Sequence, residues 1–294
     1  MTTCKNVWRK IAYSVTVIGL LIAVHQDVAA QIERKRAEPA RLMEEVFLTP
    51  RVVIGGSVQQ LNAGNMNFTI LHVFGRVDGG VQSLWGLDDS ANIRFGIDYG
   101  ISDRLSVGAG RSRYDKLYDF RGQWLAVRQT KDGRIPVSVS VVGDVGITTE
   151  ANGYKFIDRL NYYSSLLVAR SMSSKLSIQM SAMMSHFNTV ISEVIDGDAV
   201  YTEENTHVAV GFSIRYLISE RVSVLAEYMP VIGPRSTGTA DAAAIAVNFE
   251  TGGHVFQLYL KTSQWLTEQH VIARNTESLL SGDIRAGFVV NRVF

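Results

Sequence analysis

The sequence predicts an all-β fold, a closed antiparallel transmembrane β-barrel of about twelve strands, on three observations. Apolar residues recur with period two from about residue 66 onward, short polar turns alternate with longer connections, and the chain opens with an export signal.

The export signal comes first. Lys5, Arg9 and Lys10 precede the apolar run "IAYSVTVIGLLIAV" (11 to 24), and "DVAAQ" supplies small residues before a cleavage expected between Ala30 and Gln31. The run is shorter than the roughly 20 residues a spanning helix needs, so residues 1–30 read as a signal peptide rather than an anchor. Its loss changes 29 basic and 28 acidic residues to 26 and 27, a net charge of −1, which offers no basic face to nucleic acid. The single cysteine, Cys4, lies inside the signal, so the exported chain has neither a disulfide framework nor a cysteine metal site. Residues 31–65 are expected to form an N-terminal segment on the periplasmic side, with "PRVVIGGSVQQL" turning around Gly55 and Gly56.

Residues 66–294 carry the barrel pattern. In "ANIRFGIDYGI" (91 to 101), Ala91, Ile93, Phe95, Ile97, Tyr99 and Ile101 alternate with Asn92, Arg94, Gly96, Asp98 and Gly100. Successive strand side chains face opposite ways, so one face is continuously apolar. The pattern returns in "VSVSVVGDVGI" (137 to 147), "HVAVGFSIRYL" (207 to 217) and the closing stretch to Phe294. Strands are predicted at about 67–74, 91–101, 105–113, 117–129, 137–147, 158–170, 175–187, 207–217, 221–232, 244–250, 254–263 and 282–294. The related stretches "ISDRLSV", "MSSKLSI" and "ISERVSV" read as tight turns on one rim, while 75–90, 188–206, 233–243 and 264–281 are long connections on the other. Tyr99, Trp124, Tyr162, Tyr216, Tyr228 and Phe294 sit toward strand ends on the apolar parity, where an interfacial girdle belongs.

The polar parity carries Arg94, Asp98, Asp119, Arg121, Asp144, Arg159, Lys175, Arg215, Arg221, Glu227, Asp283 and Arg285, expected to face the lumen and pair across strands. Catalysis finds little support. Ser185 and His186 point to opposite faces, His254 and His270 fall near strand ends or loops where a solvated imidazole is expected, and no histidines have metal-ligand spacing. "GAGRSR" (108 to 113) lacks the Lys and helix of a phosphate loop, so its glycines read as room inside a narrow barrel. No catalytic residue, cofactor or metal is expected.

The run "HVFGRVDGGVQSLWGLDDSANIRFGIDYGISDRLSVGAGRSRYDKLYD" (72 to 119) and the closing "SGDIRAGFVVNRVF" resemble an uncharacterised family of bacterial β-barrel proteins, domain of unknown function 5777, from about Val46 to the end. Val73 stands where the family pattern leads one to expect Arg. The resemblance implies a barrel in the outer membrane and brings no activity or functional residue. The final strand ending in Phe294 is also similar to the sorting signal read by the barrel-assembly machinery, the expected partner beside outer-membrane lipid. The expected function is a narrow pore for small solutes or a structural barrel. The alternatives are a barrel hydrolase with a lone His as base, and a soluble secreted β-barrel binding a hydrophobic ligand.

Overall fold

The computed structural model describes residues 42–43, 45–190, 192–195, 198–201 and 203–294. The expected signal peptide and its cleavage site lie outside these residues.

The strands are β1 (Met66–Arg76), β2 (Asn92–Ser102), β3 (Leu105–Ser112), β4 (Leu117–Val127), β5 (Ser138–Thr148), β6 (Leu160–Ser171), β7 (Leu176–Phe187), β8 (Ser192–Ile195), β9 (Asp198–Tyr201), β10 (Thr206–Ser219), β11 (Val222–Met229), β12 (Val231–Ile232), β13 (Ala242–Glu250), β14 (His254–Lys261) and β15 (Arg285–Val293). A seven-residue helix, α1 (Glu268–Arg274), sits in the last long connection. β8 and β9 form a separate hairpin within the 188–206 connection, and the two-residue β12 continues β11 past Pro230. The remaining twelve strands are the predicted ones, each paired antiparallel to its neighbours. β15 pairs with β1 from Asn67↔Val293 onward, and β10 with β11, so the sheet closes on itself.

The repeated turn motif has a local cause. Ser102 Oγ accepts from the backbone N–H of Arg104 and Leu105, and Ser173 Oγ accepts from those of Lys175 and Leu176. The hydroxyl replaces ladder partners that the reversing chain gives up.

Side-chain direction follows the alternation. Phe95, Ile97, Phe120, Phe212, Ile245 and Leu258 are exposed on the outer wall, whereas Arg94, Asp119, Asp144 and Glu227 are buried inside. A soluble barrel with a hydrophobic ligand within would need Phe95 and Phe212 turned inward, so that alternative is overturned. Trp124 and Tyr216 ring the short-turn rim, and Tyr228 lies near the long-loop rim, all exposed on the outward parity.

The interior, however, is not simply polar. Val142, Leu167, Met183, Leu225 and Met229 also point inward and are buried with Phe47, Val52, Ile54 and Val58 of the N-terminal segment. That segment was expected apart from the barrel on the periplasmic side. For residues 46–61 this is corrected: they lie inside it, because their apolar side chains meet an apolar inner surface that water would otherwise wet.

An arginine placed on the outer wall tests the orientation. Ile245→Arg is expected to cost about 2–4 kcal/mol if it sits near mid-membrane, measured by denaturant titration of protein folded in lipid vesicles. A neutral effect would contradict the assignment.

Candidate functional site: the filled lumen

Two segments enter the barrel from opposite rims and meet inside it. The first runs along 45–61 from the short-turn rim, where Met43 N donates to Gln129 O. It reverses in a tight turn in which Val52 N donates to Gly55 O and Arg51 bridges to Gly56, the turn expected around Gly55 and Gly56.

Inward-facing side chains of four strands satisfy this backbone. On β11, the buried Glu227 carboxylate accepts the N–H groups of Val53 (3.2 Å), Ile54 (2.6 Å) and Gly55 (3.2 Å). Gln257 on β14 donates to Val52 O (2.7 Å), and Gln123 on β4 donates to Ser57 O (2.9 Å). On β7, Gln179 donates to Gly56 O (2.8 Å) and accepts from Val58 N (2.9 Å). A primary amide both donates and accepts, so it can replace a neighbouring strand for a chain segment that has none. The close fit explains Gly55, where a Cβ would stand 2.9 Å from Glu227 Oε1.

The second segment is the connection 262–284 with α1, folded in from the long-loop rim. Gln269 Nε2 donates to Asp144 Oδ1 (3.1 Å) and Asn161 Oδ1 (3.2 Å) on the wall. Glu268 joins all three parts. Its carboxylate pairs with Arg121 of β4 (2.8 Å) and with Arg51 of the N-terminal segment (3.1 Å), and Arg51 also donates to Leu266 O.

Nine of the twelve residues expected in the lumen fall into three groups. Arg94 and Asp119 form a buried pair, with Nε to Oδ1 at 3.0 Å, and a Cβ on Gly110 would collide with that guanidinium. Arg121, Asp144 and Glu227 hold the inserted segments, Arg215 donates to Val46 O, and half-buried Asp98 lies 3.5 Å from Asn67 Nδ2. Asp283 and Arg285 pair near the long-loop rim, with Arg76 and Glu277 respectively. Lys175 and Arg221 are corrected: both are exposed in turns at the short-turn rim, where no strand alternation directs them inward. Arg159 lies off the strands, in a 3-10 turn (Ile157–Arg159) where it donates to Tyr154 O, and lines the mouth at the long-loop rim rather than the barrel's centre. Selecting charges missed Gln123, Gln179 and Gln257, which share the inward parity, and Arg51 and Glu268, which lie outside the strands.

Each mouth keeps a cavity. One of about 490 Å³ at the short-turn rim is lined by Glu45, Gln60, Asn67, Arg128 and Asn291. One of about 360 Å³ at the other rim is lined by Asp115, Glu150, Asp158 and Arg274. They share no lining residue, and the filled section lies between them.

His270 is corrected from a solvated imidazole to a buried one. Its ring stacks on Trp265 (4.9 Å), meets Phe187 edge-on, and its nitrogens contact Thr267 Oγ1 (2.9 Å) and Asp115 Oδ2 (3.2 Å). Asp115 is aimed there by a left-handed backbone (φ 57°) and also accepts from Arg274. His207 Nε2 contacts Ser236 Oγ (2.9 Å), buried as well, while His186 meets Thr206 Oγ1 (2.7 Å) on the exposed side. None of Thr267, His270, His207 and Ser236 lines either mouth cavity.

Burial lowers the His270 pKa below its ordinary 6.5, against the opposing hydrogen bond and charge of Asp115. A pKa depressed on folding gives stability that is complete above the unfolded value and is lost as pH falls through the folded one. The seat of the 262–284 segment should therefore weaken on acidification below 6.5. In the chain from Gln31 onward, with Trp85 and Trp124 replaced by Phe, Trp265 is the remaining tryptophan and its fluorescence should report this loss, and His270→Phe should abolish the step; a flat signal down to about pH 5 would contradict it. Glu268→Gln leaves the guanidinium groups of Arg121 and of the partly exposed Arg51 without their counter-charge and is expected to destabilise the fold by about 3 kcal/mol in vesicle unfolding measurements.

No curated protein matches the chain. Among solved structures it is similar to the NanC porin, at 7% identity and TM-score 0.48 over 78% of this chain and 98% of that one. It is also similar to the COG4313 outer membrane channel from Pseudomonas putida F1, at 10% identity and TM-score 0.45 over 81% and 98%. The Acinetobacter baumannii outer membrane protein Omp33 matches at 10% identity and TM-score 0.40 over 80% and 100%. The family described as "Membrane bound beta barrel domain (DUF5777)" matches residues 47–294, the inserted N-terminal segment included, and the chain belongs to that family.

Proposed function

We propose that this protein is a non-catalytic outer-membrane barrel held closed in its resting state by its own N-terminal segment, and that small polar solutes pass only when that segment leaves the lumen. The even strand number, the short turns on one rim and the long loops on the other support an outer-membrane setting, with the short-turn rim toward the periplasm.

The observation that carries the reading is Glu268 bound at once to Arg51 and Arg121. A carboxylate shared between a wall strand and two segments entering from opposite rims ties the obstruction together at its centre. The segment's attachments are side-chain hydrogen bonds rather than ladder pairing, so the twelve-strand wall keeps its own backbone bonds without it. The buried hydroxyl–imidazole contacts favour a pinning role over nucleophilic chemistry, because a reacting hydroxyl has to reach its substrate.

Planar-bilayer recordings test this directly. The full-length protein is expected to be electrically quiet, and a variant lacking residues 46–61 to show steady conductance, after both pass the same folding check. Porin-like conductance from the intact protein, or silence from the folded deletion, would refute the closed-barrel reading.

A further inference from the structure

The lipid-facing wall from β10 to β15 carries an apolar groove of about 770 Å³. Strand register explains its shape. One side is an outward row running from Tyr216 through Val224 and Leu258 to Phe288. The other is the next outward row, from Ile214 through Ala226 to Leu260 and Ala286. Ala226 and Ala286 are the small positions of the second row.

The row that ends the groove continues onto β1 at His72, which pairs with Phe288. From Tyr216 to His72 there are five inter-strand steps of about 4.8 Å, roughly 24 Å in all. His72 is the seventh of the eleven residues of β1 and lies on the outward parity, so its imidazole stands within the hydrocarbon span. The ring stacks on Phe288 (5.1 Å) and contacts Phe74 (4.4 Å), both of which line the groove. Its Nδ1 is occluded and has no partner among the described residues, none of which hydrogen-bonds Nε2 either, so Nε2 is left to a partner arriving from the membrane. A polar group in hydrocarbon is costly until it is hydrogen-bonded, and the described residues supply no bond here.

We propose that this groove binds a single-chain amphiphile of the fatty-acid class, its chain lying along the two rows and its carboxylic acid hydrogen-bonded to His72. An apolar groove with one unpaired imidazole just beyond its Phe74 and Phe288 end matches a molecule with one polar end. The acid O–H donates to the unprotonated ring nitrogen, an interaction a methyl ester cannot make.

Full-length protein in phosphatidylcholine vesicles is irradiated with palmitic acid carrying a chain diazirine, or with its methyl ester, and the adducts are mapped by mass spectrometry. Adducts are expected on the β13 to β15 peptides rather than on the opposite wall, with the acid exceeding the ester about fivefold, the scale of one hydrogen bond. His72→Phe should equalise the two probes, Ala226→Trp should reduce both, and unlabelled palmitic acid should compete in the unaltered protein, which guards against a variant that fails to fold. Adducts spread evenly around the barrel, equal labelling by acid and ester in the unaltered protein, or a dimer cross-linked through this face would each overturn the proposal.

Discussion

Hydrogen-bond closure in a solvent that offers no hydrogen bonds is the constraint on which everything else rests. A bilayer cannot satisfy a strand edge, so the first and last strands must find each other, as β1 and β15 do. Closure fixes which parity meets lipid and which meets the interior, and it leaves an interior that twelve strands do not fill by themselves.

The chain fills that space with its own segments, and the polar groups involved follow from the requirement. A segment lying inside a barrel has no ladder partner on the wall, so the N–H and C=O groups that its own turn leaves unpaired need side chains. Glutamines serve both kinds of group, and the Glu227 carboxylate serves three adjacent donors. Glu268 then joins the two insertions electrostatically, in surroundings where removing one partner costs more than the pair contributes. Because the insertion excludes water, inward positions such as Val142 and Leu225 can be apolar without penalty.

The outer wall obeys the opposite rule. Its outward side chains are predominantly apolar or aromatic, with Tyr and Trp toward the ends, and among the few polar ones His72 stands beside Phe288. Inside the barrel an unpaired group can be met by an inserted residue. On the outside only the membrane can supply the partner.

Much of this was legible in the residues. Period-two alternation located all twelve barrel strands to within a few positions, since side-chain direction in a strand is a local property. The same alternation put Arg94, Asp119, Asp144 and Glu227 inside, and Gly55 and Gly56 marked a turn, although the close approach of Glu227 to Gly55 and of Arg121 to Gly56 comes from the tertiary structure. It misled where no strand directs the side chain: Lys175 and Arg221 in turns, and His270 in a loop that folds back into the barrel. Nothing near residues 46–61 in sequence says that Glu227, Gln179 and Gln257, up to 205 positions away, would receive them. Alternation by itself determined the barrel and its two faces, because those depend on neighbouring residues; only the tertiary structure decided that the lumen is filled and tied at Glu268, because that depends on groups brought together by closure.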